Sequence, residues 1–198
     1  MLILLFYSIV CDEITFEDKN MLTQNDVRKA MNKNITKVIL KNKSIIEENA
    51  FKNCKYMKLI SIPSSVKSIG EKAFYECKNL ESVLFENESK LTTINNSAFE
   101  YCSNLKSIRI PSSVGSIGKS AFCRCSNLES VSFENESKLT TISNSAFEYC
   151  SNLKSIRILS SVESIGENAF YECINLESVL FENESKLTTI SNSAFEYC

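Results

Sequence analysis

Cysteine is the residue type in this 198-residue chain with the most obvious chemical potential: there are nine, and no histidine or tryptophan. Thiols can cross-link, bind metal or attack as nucleophiles. Seven share one register, each three residues after the Phe of an Ala-Phe dipeptide: Cys54, Cys77, Cys102, Cys125, Cys150, Cys173 and Cys198. An odd number in a linear ladder suits neither pairwise disulfides nor a tetrahedral metal site. The expected role is a row of core thiols, each acting as a small buried hydrophobe. Cys123 stands apart, one residue after Phe122, where other turns carry Lys52, Tyr75, Glu100, Glu148, Tyr171 or Glu196. That position is predicted to be exposed, which makes Cys123-Arg124-Cys125 the candidate reactive or pairing thiol. Without His the commonest general base and zinc ligand are missing. With four Gly, no phosphate-cradling loop is present. No metal, cofactor or catalytic group is expected. Near-identical repeats also give each residue copies, which argues against a unique active site and against an enzyme. Basic residues number 22 against 24 acidic ones, so the basic excess of a nucleic-acid binder is absent.

Six Asn-x-Ser/Thr sequons, at Asn34, Asn42, Asn87, Asn95, Asn135 and Asn183, are candidate glycan acceptors if the chain is secreted by a eukaryote, and turn residues otherwise. Those at Asn87, Asn135 and Asn183 are copies of one Glu-Asn-Glu-Ser loop.

The elements that must position these side chains follow from the repeat itself. Ala-Phe begins at Ala50, Ala73, Ala98, Ala121, Ala146, Ala169 and Ala194, so spacings of 23 and 25 alternate and the unit is a pair of unequal turns. Residues 133–150 and 181–198 are identical, and 85–102 differs from them only at Asn95. Each turn opens with a strand such as Leu105, Ile108, Ile110. A second short strand follows, Val114 to Ile117 in the short turn or Leu91 to Ile94 in the long one. A helical or 3₁₀ turn then carries Ala-Phe. One turn cannot bury its own apolar residues. Stacked turns can, placing Leu on Leu, Ile on Ile and Phe on Phe. The fold expected is therefore a right-handed, β-rich solenoid of about seven turns, roughly 30 Å long at 4.8 Å per strand.

That register sorts the remaining candidates into columns. Asn79, Asn104, Asn127, Asn152 and Asn175 precede the strand Leu and are expected to form a structural amide ladder. Lys58, Glu81, Lys106, Glu129, Lys154 and Glu177 alternate in sign, as favourable cross-strand pairs would. The column Ile39, Ser61, Leu84, Arg109, Ser132, Arg157, Leu180 varies most and is the candidate protein-binding surface, since solenoids bind through extended faces.

The units Ser103–Cys125 and Ser126–Cys150 resemble the BspA-like class of leucine-rich repeats, known from surface proteins of mucosal bacteria and parasitic protists. The resemblance covers about residues 35–198. It implies a leucine-rich-repeat solenoid that serves as a non-enzymatic adhesion module, binding host matrix, host cells or other microbes. The alternative is an intracellular leucine-rich-repeat scaffold or regulatory protein. Lys43 and Leu159 depart from the pattern, replacing a Val and a Pro.

Outside the repeat, residues 1–11 form an apolar run too short to span a membrane. They read as a signal peptide or as an apolar strand that caps the solenoid. Residues 12–34 are expected to be an N-terminal cap, with a helix at about 23–32 opened by a Thr23/Asp26 capping box. At the other end the repeat stops without a polar cap, which points to truncation and to self-association through an open last turn.

Overall fold

The computed structural model describes residues 7–10, 13–17, 21–31 and 35–198. Its elements follow the repeat. They are β1 (Tyr7–Val10), β2 (Glu13–Phe16), β3 (Met21–Leu22), α1 (Gln24–Ala30), β4 (Lys37–Leu40) and β5 (Ile45–Ile46). Then come β6 (Leu59–Ile62), β7 (Ser68–Ile69), β8 (Ser82–Phe85), β9 (Thr93–Ile94), β10 (Ser107–Ile110) and β11 (Ser116–Ile117). The chain continues through β12 (Ser130–Phe133), β13 (Thr141–Ile142), β14 (Ser155–Ile158), β15 (Ser164–Ile165), β16 (Ser178–Phe181) and β17 (Thr189–Ile190).

The result is a parallel β-solenoid. The four-residue strands stack on one face in two sheets, β1-β2-β4-β6-β8 and β10-β12-β14-β16. The two-residue strands form one continuous ladder from β3 to β17. The second strand of each turn is thus shorter than the Val114–Ile117 span expected, because only its last two residues meet neighbours in extended geometry.

The Ala-Phe segment is neither an α- nor a 3₁₀-helix. It is a run of turns whose N–H groups alternate in direction. Ala121, Cys123 and Cys125 donate three residues back within the turn, whereas Ser120, Phe122 and Arg124 donate to the next turn. The residues before Ala and before Cys adopt positive φ throughout, as at Ser120 (56°) and Arg124 (61°), and none is glycine. Tertiary stacking holds these L-residues in a conformation they visit rarely. Here the ladder to the neighbouring turn outweighs local preference.

The core is a single cluster along the axis. Phe51, Phe74, Phe99, Phe122, Phe147, Phe170 and Phe195 stack face to face, with centroids 4.8–5.3 Å apart and rings within 8° of parallel. Beside them the thiols of Cys77, Cys102, Cys125, Cys150, Cys173 and Cys198 each donate to a Phe carbonyl of the preceding turn at 3.0–3.3 Å. The cysteines therefore do more than fill space: each gives a second donor to a Phe carbonyl that already accepts a backbone N–H, as Phe51 O does from Cys54 N at 3.0 Å. Lys43 takes the core slot that Val66 and Val114 occupy in later turns and is 1% exposed.

The N-terminal segment differs from expectation. β2 pairs in parallel with β4, and β3 with β5, so these residues enter both ladders as a further turn of the solenoid. In that turn α1 replaces the Ala-Phe segment. The helix is shorter than expected, Gln24–Ala30, but its Thr23/Asp26 capping box forms. β1 pairs antiparallel with β2 at the edge of the sheet. Residues 1–6 and 11, the rest of the apolar run, lie outside the described residues, as does the sequon at Asn34.

Candidate functional site

The strand face carries the candidate surface, and its geometry alternates with the repeat. Passing from a short turn to a long one, strands pair over four residues, as in Ser107↔Ser130 to Ile110↔Phe133. From a long turn to a short one the pairing nearly fails. β8 and β10 share no ladder, and β12 meets β14 only at Ser130↔Ser155. The hydrogen bonds record the same alternation: Glu129 N to Lys106 O is 2.8 Å, whereas Lys106 N to Glu81 O is 3.5 Å. At the first of these loose junctions Pro111 follows β10 and has no N–H to offer the preceding turn. In the other direction Glu134 N donates to Ile110 O at 3.1 Å.

The register places the seven column residues on one face: Ile39 beside Ser61, Ser61 beside Leu84, Arg109 beside Ser132, and Arg157 beside Leu180. Ile39 and Ser61 are half-buried and the other five are exposed. At the loose β12–β14 junction a groove of about 570 Å³ opens between the long-turn loop 134–137 and the short-turn loop 159–161. It brings together Ser132, Arg157 and Leu180 from the column, with Asn135 on its wall. Ile39, Ser61, Leu84 and Arg109 lie outside it.

Long-turn glutamates organise this edge. Glu86, Glu134 and Glu182 accept from the backbone N–H of Ser64, Ser112 and Ser160 at 2.9–3.1 Å, tying each long loop to the short turn before it. Glu134 also lies 3.4 Å from Arg109 Nε, and Glu182 lies 3.8 Å from Arg157 Nη1. Both guanidiniums remain largely exposed, so these pairs orient the arginines without holding them tightly. The arginines can exchange a screened intramolecular partner for an external carboxylate.

The other columns are structural. Asn104, Asn127 and Asn152 each donate to the amide oxygen of the Asn one turn before, at 3.2–3.3 Å. Asn79 and Asn175 instead reach the backbone carbonyls of Lys55 and Ser151. The ladder is thus side chain to side chain along its middle, not a set of local turn contacts. Of the alternating charge column, only Lys58 and Glu81 form an ion pair among the described residues, at 3.5 Å. Lys106 and Glu129, and Lys154 and Glu177, form no such pair although their strands pair over four residues, so backbone register by itself does not close these charge pairs.

Cys123 is not exposed: 6% of its surface is accessible. Burial, with Glu148 and Glu100 on either side, pushes its thiol up to about 12. The expectation of a reactive Cys123 is therefore corrected, because its neighbours in the turn ladder cover it. Burial alone raises Cys54 to about 12, and burial, as the largest cause beside smaller effects of neighbouring groups, raises Cys77, Cys102, Cys125 and Cys150 well above the ordinary 9.0. All eight described cysteines are free.

The sequons divide. Asn42, Asn87, Asn135 and Asn183 are exposed. Asn95 is not equivalent, because its side-chain nitrogen already donates to Ser68 Oγ (3.1 Å) and Ile69 O (2.7 Å).

One feature was missed from sequence. Tyr75 and Tyr101 meet edge to face, as do Tyr149, Tyr171 and Tyr197 in succession, and Arg124 lies over Tyr101 and Tyr149 at 5.6 and 4.3 Å. Tyr75 and Tyr171 sit one residue after Phe, whereas Tyr101, Arg124, Tyr149 and Tyr197 sit two after it, so no single column of the aligned repeat shows them as a row.

The model of the BspA type leucine rich repeat region matches in six copies, over residues 30–138 and 88–198. Among solved structures the chain is similar to the T. pallidum leucine rich repeat protein (22% identity, TM-score 0.64), over 94% of this chain and 82% of that one. It is similar also to the pneumococcal vaccine antigen PcpA (24%, TM-score 0.59), over 90% of this chain and 48% of that one. A leucine rich cell surface protein of Faecalibacterium prausnitzii (23%, TM-score 0.51) matches over 91% of this chain and 53% of its own length. At these identities the likeness is one of fold. No curated protein matches the sequence.

Proposed function

We propose that this chain, which belongs to the BspA type leucine-rich repeat family, is a non-enzymatic protein-binding module of a cell-surface or secreted protein. Its partners in this reading are proteins of host matrix, host cells or other microbes. The observation that carries the reading is the groove at the β12–β14 junction, where Ser132, Arg157 and Leu180 converge on an exposed strand face. An exposed apolar side chain, an exchangeable guanidinium and a hydroxyl together are the mixture found at protein interfaces. Arg109 and Leu84 extend the same face toward the N-terminus. Surface location is supported by the family and by the chain's likeness to PcpA, a pneumococcal vaccine antigen, and to the cell surface protein of F. prausnitzii. Removal of residues 1–11 on secretion and glycosylation at the exposed Asn42, Asn87, Asn135 and Asn183 belong to this proposal. Phe181 and Ile190 of the last turn are 48% and 51% exposed and offer an apolar face to a further turn, of this chain or of a second copy.

The test is attachment of the fluorescently labelled full chain to immobilised extracellular matrix and to whole cells. Saturable binding should weaken at least about fivefold in the Arg109→Ser/Arg157→Ser double variant, the loss of roughly 1 kcal/mol expected for two exposed ionic contacts. Binding that is unchanged would reject this face.

One observation favours the second reading, an intracellular scaffold: every described cysteine is a free thiol, as in a reducing compartment. Burial offers the competing account, since thiols shielded from oxidant persist in either compartment. N-terminal sequencing of the native protein separates the two, an intact Met1 on a chain that never reaches the surface supporting the scaffold.

A further inference from the structure

The tyrosines of the Ala-Phe segments form one row with two cations, a single residue from each of the seven Ala-Phe turns. Lys52 Nζ lies over Tyr75 at 5.2 Å, and Tyr75 meets Tyr101 edge to face at 5.7 Å. Arg124 then lies against the rings of Tyr101 and Tyr149, 5.6 Å from one and 4.3 Å from the other. Tyr149 meets Tyr171 at 5.9 Å and Tyr171 meets Tyr197 at 5.4 Å, with interplanar angles of 79° and 87°. Twice along this row the chain lays a cation of its own on a tyrosine ring.

The two ends of the row differ in charge. From two residues before Ala to one after Cys, the first four segments carry Lys52, Lys55, Lys72, Lys78, Lys119 and Arg124 against Glu48, Glu71, Glu76 and Glu100. The last three carry Glu148, Glu167, Glu172 and Glu196 and no Lys or Arg. Among the described residues none of these last four glutamates forms an ion pair, and no cation lies over Tyr171 or Tyr197. The rings are reachable: Tyr149 and Tyr171 are half-buried and Tyr197 is 61% exposed. Burial, then Glu172, Tyr149, Tyr197 and Glu196, push the Tyr171 hydroxyl above its ordinary 10.0, so rings and carboxylates gather about one residue. Ile174, also exposed, adds an apolar side chain where the matching position of earlier turns has Lys55, Lys78, Ser103, Ser126 or Ser151.

We propose that the Tyr171 and Tyr197 stretch of this row, with Glu172 and Glu196, docks an arginine side chain from an exposed basic segment of a partner protein. The guanidinium rests on the rings as Arg124 does two turns earlier, and the carboxylates supply the counter-charge. A guanidinium is planar and weakly hydrated, so it stacks on a ring while its N–H groups reach carboxylates. An ammonium holds its water more tightly and has no flat face to stack. A neutral sugar can stack too, but it leaves the charge difference between the two ends of the row without a purpose. Ile174 offers a contact to an apolar residue beside the arginine. The site stands on the Ala-Phe segments, shares no residue with the β12–β14 groove and does not depend on the strand-face reading.

Isothermal titration calorimetry of the full chain with the peptide acetyl-Gly-Ser-Arg-Leu-Arg-Ser-Gly-amide tests it, beside versions with lysine or citrulline in place of both arginines. The arginine peptide should bind saturably, the lysine peptide about threefold more weakly and the uncharged citrulline peptide at least about tenfold more weakly. Tyr171→Leu should weaken the arginine peptide about fivefold, whereas Tyr171→Phe, which keeps the ring, should leave its affinity unchanged. Glu172→Gln/Glu196→Gln should weaken it about tenfold with the circular dichroism spectrum unchanged. Glu76→Gln/Glu100→Gln, beside rings that Lys52 and Arg124 already cover, should have no effect, and neither should Arg109→Ser/Arg157→Ser. Absence of saturable binding, equal binding of any two of the three peptides, or full affinity in Tyr171→Leu or in Glu172→Gln/Glu196→Gln each overturns the proposal. An equal loss in Glu76→Gln/Glu100→Gln overturns it as well, since charge anywhere on the row would then suffice. Displacement of the peptide by maltohexaose would assign the row to carbohydrate instead.

Discussion

Raising the pH should unfold this protein through its thiols. Six cysteines are buried: Cys77, Cys102, Cys123, Cys125, Cys150 and Cys173. Desolvation lifts each above the ordinary value of 9.0, to about 12 at Cys123 and Cys173. A thiol whose folded value is raised keeps its proton in the native state while the unfolded chain gives it up. The stabilisation is therefore fully present below about pH 9 and is lost as pH rises from there toward the folded values. At pH 10 the loss is about 1.4 kcal/mol per thiol, or about 8 kcal/mol for six, relative to pH 7.5. That is comparable with the whole stability of a typical domain, about 5–15 kcal/mol. Urea unfolding under reducing conditions at pH 7.5, 9 and 10 measures it. The midpoint should move little to pH 8.5 and fall steeply beyond pH 9. Replacing Cys102 or Cys150 with Ala should lower stability at pH 7.5 but reduce the alkaline loss by about 1.4 kcal/mol each. A total loss below about 2 kcal/mol between pH 7.5 and 10 would refute the argument, because the thiols could not then be both desolvated and protonated in the fold.

The same burial sets reactivity. Iodoacetamide at pH 8 should label Cys198, the exposed cysteine of the last turn, and leave Cys123 unmodified until urea is added, as peptide mass mapping would show; fast native labelling of Cys123 would contradict its burial. Phe122 is fully buried in the middle of the stack, with Phe99 at 5.3 Å and Phe147 at 5.2 Å. Phe122→Ala should cost about 3–5 kcal/mol in urea titration, since turns held on both sides cannot collapse onto the cavity. A Cβ on Gly166 would lie 2.5 Å from Asn144 N and 2.7 Å from Ser143 C, both backbone atoms of the preceding turn. Gly166→Ala should therefore destabilise by about 1–3 kcal/mol, whereas Gly115→Ala, whose Cβ would meet nothing closer than 3.9 Å, should be near neutral.

The part of the fold written in repetition is legible by eye. Ala-Phe at alternating spacings of 23 and 25 implies stacking, stacking implies a phenylalanine column, and the structure has both. The Thr23/Asp26 capping box is equally legible, because both partners lie within one helical turn. The column Ile39, Ser61, Leu84, Arg109, Ser132, Arg157, Leu180 follows from period-two alternation within each strand, which the registers reproduce. None of this required knowledge of how one turn sits on the next.

What the sequence determined by itself, then, is the identity of the stacked positions, because identical side chains at identical intervals can be buried together in only one way. What tertiary structure decided is how well successive turns fit. Residues 13–31 lack Ala-Phe, yet join both strand ladders, because backbone pairing asks only for extended geometry and not for side-chain identity. Cys123 is buried by the turns on either side and not by anything in its own segment. The opening of the strand face at β8–β10 and β12–β14 arises between turns of unequal length, and the arginines there are oriented by glutamates 25 residues away. At the first Ala-Phe turn α1 stands where a ladder partner would be, and it covers Ala50 completely although it completes its own hydrogen bonds. In a solenoid the sequence of one turn states what it can bury; only the neighbouring turn decides how its polar groups are paired.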